Sequence, residues 1–115
     1  MATTIYKICD AAIWREAEQS GIFRGAAIDL RDGYIHFSTA AQAIETAALH
    51  FAGQNGLVLA AIDAGVLGDS VKWEPSRGGA LFPHLYGTLP MSAVRRIDPL
   101  PVGPDGRHVF PELAA

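Results

Sequence analysis

The densest concentration of reactive side chains is Tyr34, His36, Ser38, Thr39 and Gln42. An imidazole exchanges protons near neutral pH and can bind a ribose hydroxyl. A hydroxyl at the first turn of a helix, beside unpaired backbone amides, can hold an oxyanion or a phosphate. The same residues have a plainer use, with His36 a hydrogen-bonded core histidine and Ser38 or Thr39 a helix cap. A second concentration comprises Glu74, Ser76, Arg77, Gly78, Gly79, His84 and Tyr86. It puts a guanidinium beside two glycines that let a backbone approach an anion, with an imidazole and a phenol downstream. The plainer alternative is a surface loop whose Glu74 and Arg77 make an exposed ion pair worth at most about 1 kcal/mol.

Other chemistries find less support. For zinc, His36, His84 and Glu74 are the one plausible trio, but they come from remote segments without paired ligand spacing, so no metal is expected. There is no Gly-x-Ser-x-Gly elbow, which leaves Ser38 beside His36 as the remaining hydrolase nucleophile. Nothing near Cys9 in sequence would lower its pKa, and a structural role is expected. His50 and His108 are expected to be solvated.

These groups need elements to position them. Thr4 to Cys9 alternates apolar and polar residues as a half-buried strand does, and Asp10 can cap a helix from Ala11 to Ser20 that Gly21 stops. Asp32-Gly33 is a tight-turn signal between Ala26–Leu30 and Tyr34–Ser38, predicting a hairpin. Strand periodicity then puts Tyr34, His36 and Ser38 on one face, with Ile35 and Phe37 on the other. Ile44, Ala47, Ala48 and Phe51 predict the buried stripe of a following helix, ended by Gly53. The unbroken apolar run Leu57–Ile62 predicts a central strand ending at Asp63. Val71–Glu74 reads as a short strand entering a mobile or functional loop at Pro75–Gly79. Pro83 predicts an edge or a bulge, Met91–Val94 a helical turn, and Arg95–Asp98 the last strand. The order is α+β, with two early helices and a strand-rich C-terminal half. We expect one domain over 1–98, with a Pro/Gly-rich tail over 99–115 wrapping it. No glycine-rich dinucleotide or P-loop fingerprint follows a strand.

Composition narrows the classes. With 115 residues, 50% hydrophobic and 18% charged, the chain can build one core and is not disordered. A net charge of -3 argues against a dedicated nucleic-acid binder. One cysteine and an N-terminus without a basic, apolar leader predict a soluble cytoplasmic protein. The longest apolar run is far below the roughly 20 residues of a membrane helix. The expected assembly is a monomer or a weak homodimer.

Tyr6-Lys7-Ile8, Trp14, Gly21, Asp32 to Thr39 with Gln42, the strand ending in Asp63, Trp73-Glu74 and Phe82-Pro83-His84-Leu85-Tyr86-Gly87 together resemble a bacterial family catalogued as domain of unknown function 952. More remotely, the chain resembles the ADP-ribosyltransferase-like superfamily, of the RNA 2′-phosphotransferase type. That resemblance implies a split sheet with NAD or an ADP-ribose-like ligand in the cleft between its halves. His36 matches the histidine of the superfamily's strand and Ser38 the hydroxyl after it. Tyr6-Lys7 falls where those enzymes carry a first histidine motif, which is missing here. Glu74 or His84 is the candidate for the late catalytic position. Lys7 and Arg77 could replace phosphate contacts, Tyr86 or Tyr34 could stack on a base, and Ser38, Thr39 and Gln42 are further ligand contacts. The implied function is ADP-ribosyl or phosphate transfer. The alternatives are an inactive module that binds a nucleotide or peptide, and a small-molecule hydrolase.

Overall fold

Leu57-Val58-Leu59-Ala60-Ala61-Ile62 is apolar throughout because its strand is paired on both edges and covered on both faces. In the computed structural model, which describes residues 3–114 except the Arg77 side chain, the elements run β1 (Thr4–Asp10), α1 (Ala11–Ser20), β2 (Ile22–Phe23) and α2 (Ala27–Asp32). They continue β3 (Ile35–His36), α3 (Ala40–His50), β4 (Leu57–Asp63), α4 (Ala64–Leu67) and β5 (Val71–Ser76). The last three are β6 (Ala80–Leu85), β7 (Leu89–Pro90) and β8 (Val94–Pro99), with 3-10 turns at Gly68–Ser70, Arg77–Gly79 and Met91–Ala93. The architecture is α+β, with antiparallel sheets ordered β1-β4-β8, β3-β6-β5 and β2-β7.

The first sheet divides the core. Leu57, Leu59 and Ala61 join Tyr6, Ile8, Ala43, Ala47 and Leu100 on one face. Ala60 and Ile62 join Ile5, Cys9, Trp14, Phe23, Ile35 and Phe37 on the other. Trp14 is buried from α1 and packs on Phe23 at 5.3 Å between ring centroids. That helix is bounded as its sequence predicts: the Asp10 carboxylate accepts from Ala12 N at 2.8 Å, and Gly21 closes it at φ 85°.

The first two sheets meet through one bridge, where Tyr6 N donates to Ser38 O at 2.7 Å and Ser38 N to Tyr6 O at 2.9 Å. Pro83 explains why contact is so brief. Phe37 N donates to Pro83 O at 3.0 Å, but proline has no N–H to return the bond. The β3-β6 ladder therefore stops after Ile35↔Leu85 and His36↔His84, and the chain leaves to pair Ser38 with Tyr6.

Several expectations are corrected. Ala26–Leu30 is not the first arm of a hairpin: Ala27–Asp32 is helical, and Gly33 is its left-handed cap at φ 85°, with its N–H on Asp29 O at 2.8 Å. A positive-φ glycine serves either structure, and the deciding term is the inward Asp29, while Ile28 and Leu30 stay exposed. In α3 the buried residues are Ala43 and Ala47, whereas Ile44 is 59% exposed; the small alanines let the helix lie close to β1, and Phe51, not Gly53, is the cap. Pro83 lies in the central strand of its sheet, but the β3 ladder has ended before it, so it breaks the pairing on that side as expected without lying on an edge strand. Pro75 and Ser76 extend β5, so the expected loop narrows to a tight 3-10 turn at Arg77–Gly79. His108 is held by Gln54, with Nε2 to Gln54 O at 2.8 Å. After Pro99 the chain returns to the first sheet, with Leu100 buried and Ala114 N donating to the Tyr6 hydroxyl at 2.7 Å. Among the described residues, no helix is long and apolar enough to cross a membrane.

Ile62→Ala should cost about 2–5 kcal/mol in urea unfolding, because Ile62 is wholly enclosed. Ile44→Ala should stay within about 0.5 kcal/mol of the parent. Equal losses from the two would contradict the observed orientation of α3.

Candidate functional site

Asp29 is the most heavily bonded side chain of the molecule's polar centre. Lys7 Nζ lies 3.0 Å from its Oδ1 and 2.9 Å from its Oδ2. Oδ1 also receives His36 N at 3.0 Å and faces His36 Nδ1 at 2.7 Å, while Oδ2 accepts from Ala26 N at 2.7 Å. Lys7 completes the ring by donating to His36 O at 3.0 Å. Lys7 is 4% exposed and Asp29 2%, so the pair is dry and survives because nearly every lone pair and proton is satisfied. Gly25 permits the approach: at φ +117° it leaves a gap that a Cβ would close to 2.9 Å from Asp29 Cβ. Burial alone would push the Asp29 carboxyl up, but the hydrogen bonds from His36 and the charge of Lys7 prevail and hold it at about 2.

His36 reaches from this ring to the surface. Its Nε2 lies 3.0 Å from Asp32 Oδ2, and Arg31 grips the same carboxylate at 2.9 Å from outside. The Arg31 hydrogen bond holds Asp32 below the usual carboxylate range. Both His36 ring nitrogens therefore face carboxylates. Its cross-strand partner is His84, so the two imidazoles share a face, 5.5 Å between centroids and 70° apart in plane. The His84 ring is buried and meets Glu74 Oε1 through Nδ1 at 2.8 Å, and the Tyr86 hydroxyl donates to the same oxygen at 2.8 Å. Those two bonds, His84 first, lower the Glu74 pKa, and the Glu74 bond raises that of Tyr86. Tyr34 stacks on His84 at 4.2 Å and tilts against His36 at 4.7 Å and Tyr86 at 5.2 Å.

A cleft of about 460 Å³ opens here, lined among the candidate residues by Tyr6, Lys7, Tyr34, His36, Ser38 and His84, with Ser76 of the second cluster. Not all present free groups. The Lys7 ammonium is committed to Asp29 and to a backbone oxygen, and the Tyr6 hydroxyl to Ala114. Ser38 Oγ pairs with Thr46 Oγ1 at 2.9 Å. Thr39 and Gln42 cap α3: Gln42 Oε1 accepts from Thr39 N at 3.0 Å, and Gln42 Nε2 donates to Leu81 O at 2.8 Å. Glu74 and Tyr86 hold His84 without lining the cleft, and the Arg77 side chain lies outside the described residues. The sequence reading missed Asp29, Asp32, Thr46 and His50; the last three line the cleft. A lone acid inside the apolar run Ala26–Leu30 was the one available signal for Asp29. Cys9 is buried, and desolvation pushes its thiol up to about 11, as befits a structural cysteine. Among the described residues, no three His, Cys, Asp or Glu side chains are grouped to hold a metal ion.

A family model described as a protein of unknown function, DUF952, matches residues 8–97. The chain belongs to the DUF952 family. That span contains Asp29, His36, Glu74 and His84. The DUF952 chain is similar over 93% of its length to the X-ray crystal structure of protein CC0527 from Caulobacter crescentus, at 51% identity, 94% coverage of that chain and a TM-score of 0.89. It is also similar to the solution NMR structure of CC0527, at 52% identity, 90% coverage of each chain and a TM-score of 0.82. No curated protein matches.

Asp29 titrates at about 2 when folded, against an ordinary 3.8, so its contribution is complete above the unfolded value and vanishes as pH falls through about 2. The difference corresponds to about 2 kcal/mol. Asp29→Asn should cost about 3–5 kcal/mol at neutral pH by leaving the buried Lys7 ammonium without a counter-charge. It should also flatten the acid limb of stability, read as urea midpoints between about pH 5 and pH 2; an unchanged limb would refute the assignment.

Proposed function

We propose that the cleft binds a nucleotide-type ligand such as NAD or ADP-ribose, and that His36 and His84 address its ribose and phosphate groups. One observation carries this reading: two imidazoles stand side by side on one wall, each fixed at Nδ1 by a carboxylate, beneath the stacked Tyr34 ring. Fixed imidazoles are suited to hydroxyls and anions, and Tyr34 offers an aromatic surface to a base. The groove between two sheets joined at one bridge also supports the remote resemblance to the ADP-ribosyltransferase-like superfamily. In this reading His36 fixes a ribose hydroxyl, and His84, held by Glu74, handles its proton during ADP-ribosyl or phosphate transfer. Lys7 acts through His36, since its ammonium is engaged.

A second reading, a nucleotide-binding module without turnover, is favoured by the same engagement of Lys7 where the superfamily has its first motif. Saturating ADP-ribose and NAD should shift the backbone amide resonances of His36 and Ser38, and His36→Ala should weaken binding about tenfold or more. Resonances that stay in place with both ligands would end the proposal. Nicotinamide released from NAD would support transfer, and binding without release would support the module.

A further inference from the structure

The two imidazoles are not equivalent. A carboxylate only accepts, so Glu74 at 2.8 Å from His84 Nδ1 fixes the proton of the neutral ring there and makes Nε2 its lone-pair nitrogen. His36 instead has Asp29 at Nδ1 and Asp32 at Nε2, and the two contacts are donated together only when the ring carries both protons. One ring is arranged as a proton acceptor and the other as a donor, side by side on adjacent strands. Such an unequal pair matches a reaction in which one oxygen loses a proton while a neighbouring oxygen gains one.

Resting on the nucleotide-cleft reading, we infer that the site catalyses intramolecular transesterification of a ribose phosphodiester, with His84 as general base and His36 as general acid. His84 Nε2 takes the proton of a ribose hydroxyl on the carbon next to the phosphate-bearing one. That oxygen bonds to phosphorus, the bond from phosphorus to the far ester oxygen breaks, and His36 Nε2 delivers its proton to the departing oxygen. The products are a cyclic ribose phosphate and a free alcohol, with no external reactant, and the two rings finish with protonation states exchanged until solvent resets them. Asp32 occupies the donor position of His36 in the free protein and is held from outside by Arg31. It can release Nε2 to the leaving oxygen while remaining paired. The cleft volume of about 460 Å³ suits a nucleotide or dinucleotide.

The test is uridylyl-(3′→5′)-adenosine with the full chain, read by chromatography for the 2′,3′-cyclic phosphate and adenosine. Turnover should be bell-shaped in pH and absent with the 2′-deoxy analogue. His36→Gln and His84→Gln should each lower it by about 100-fold or more. Because His84 is buried, Glu74→Gln, at the partly exposed carboxylate behind it, is the second probe: it should lower kcat and move the basic-group limb of the profile while the amide spectrum stays native. Cleavage that persists in all three variants comes from a contaminant and overturns the inference. If ADP-ribose shifts the His36 amide but the dinucleotide yields no cyclic phosphate, this inference falls alone. If neither ADP-ribose nor NAD shifts it, the cleft reading falls too.

Discussion

The buried Lys7–Asp29 pair, with His36 drawn into it, holds the polar centre together. It ties β1 to α2 and to β3 at a point where the remaining core offers only hydrocarbon. Its net stabilisation is small against a well-packed apolar substitute, because two desolvated charges cost nearly what they return. Its effect is geometric. An apolar trio would pack in several ways, whereas this ring has one arrangement that satisfies its donors, and the imidazole orientation is set by it.

How much was legible in the sequence follows from which residues decide each element. For β1, α1 and β4 the decision is local: alternation, a capping aspartate with a following glycine, and an unbroken apolar run define them. For α2 it is not local, because Asp32-Gly33 fits a hairpin as well as a helix end, and the partner that settles the matter is Lys7, some twenty residues upstream. The stripe of α3 was misjudged since hydrophobicity favours Ile44 over Ala43, while close approach to β1 favours the smaller side chain.

The site divides in the same way. His36 and His84 were each visible as polar residues in strand-like segments, and Tyr34, His36 and Ser38 line the cleft together as strand periodicity predicts, although Phe37 of the opposite set lines it too. That the two histidines are cross-strand neighbours was not visible, because register is set by pairing between segments almost fifty residues apart. The carboxylates behind them were harder still. Glu74 could be named as a charged residue, but its position behind His84 depends on β5 lying at the outer edge of the sheet.

Proline in a central strand is usually a defect, and here it sets an aperture. With an amide hydrogen at position 83, the chain beyond Phe37 could continue zipping against β6, drawing Ser38 away from Tyr6 and narrowing the groove between the sheets. The brevity of the contact between β3 and β6 is thus written into a covalent ring in the chain.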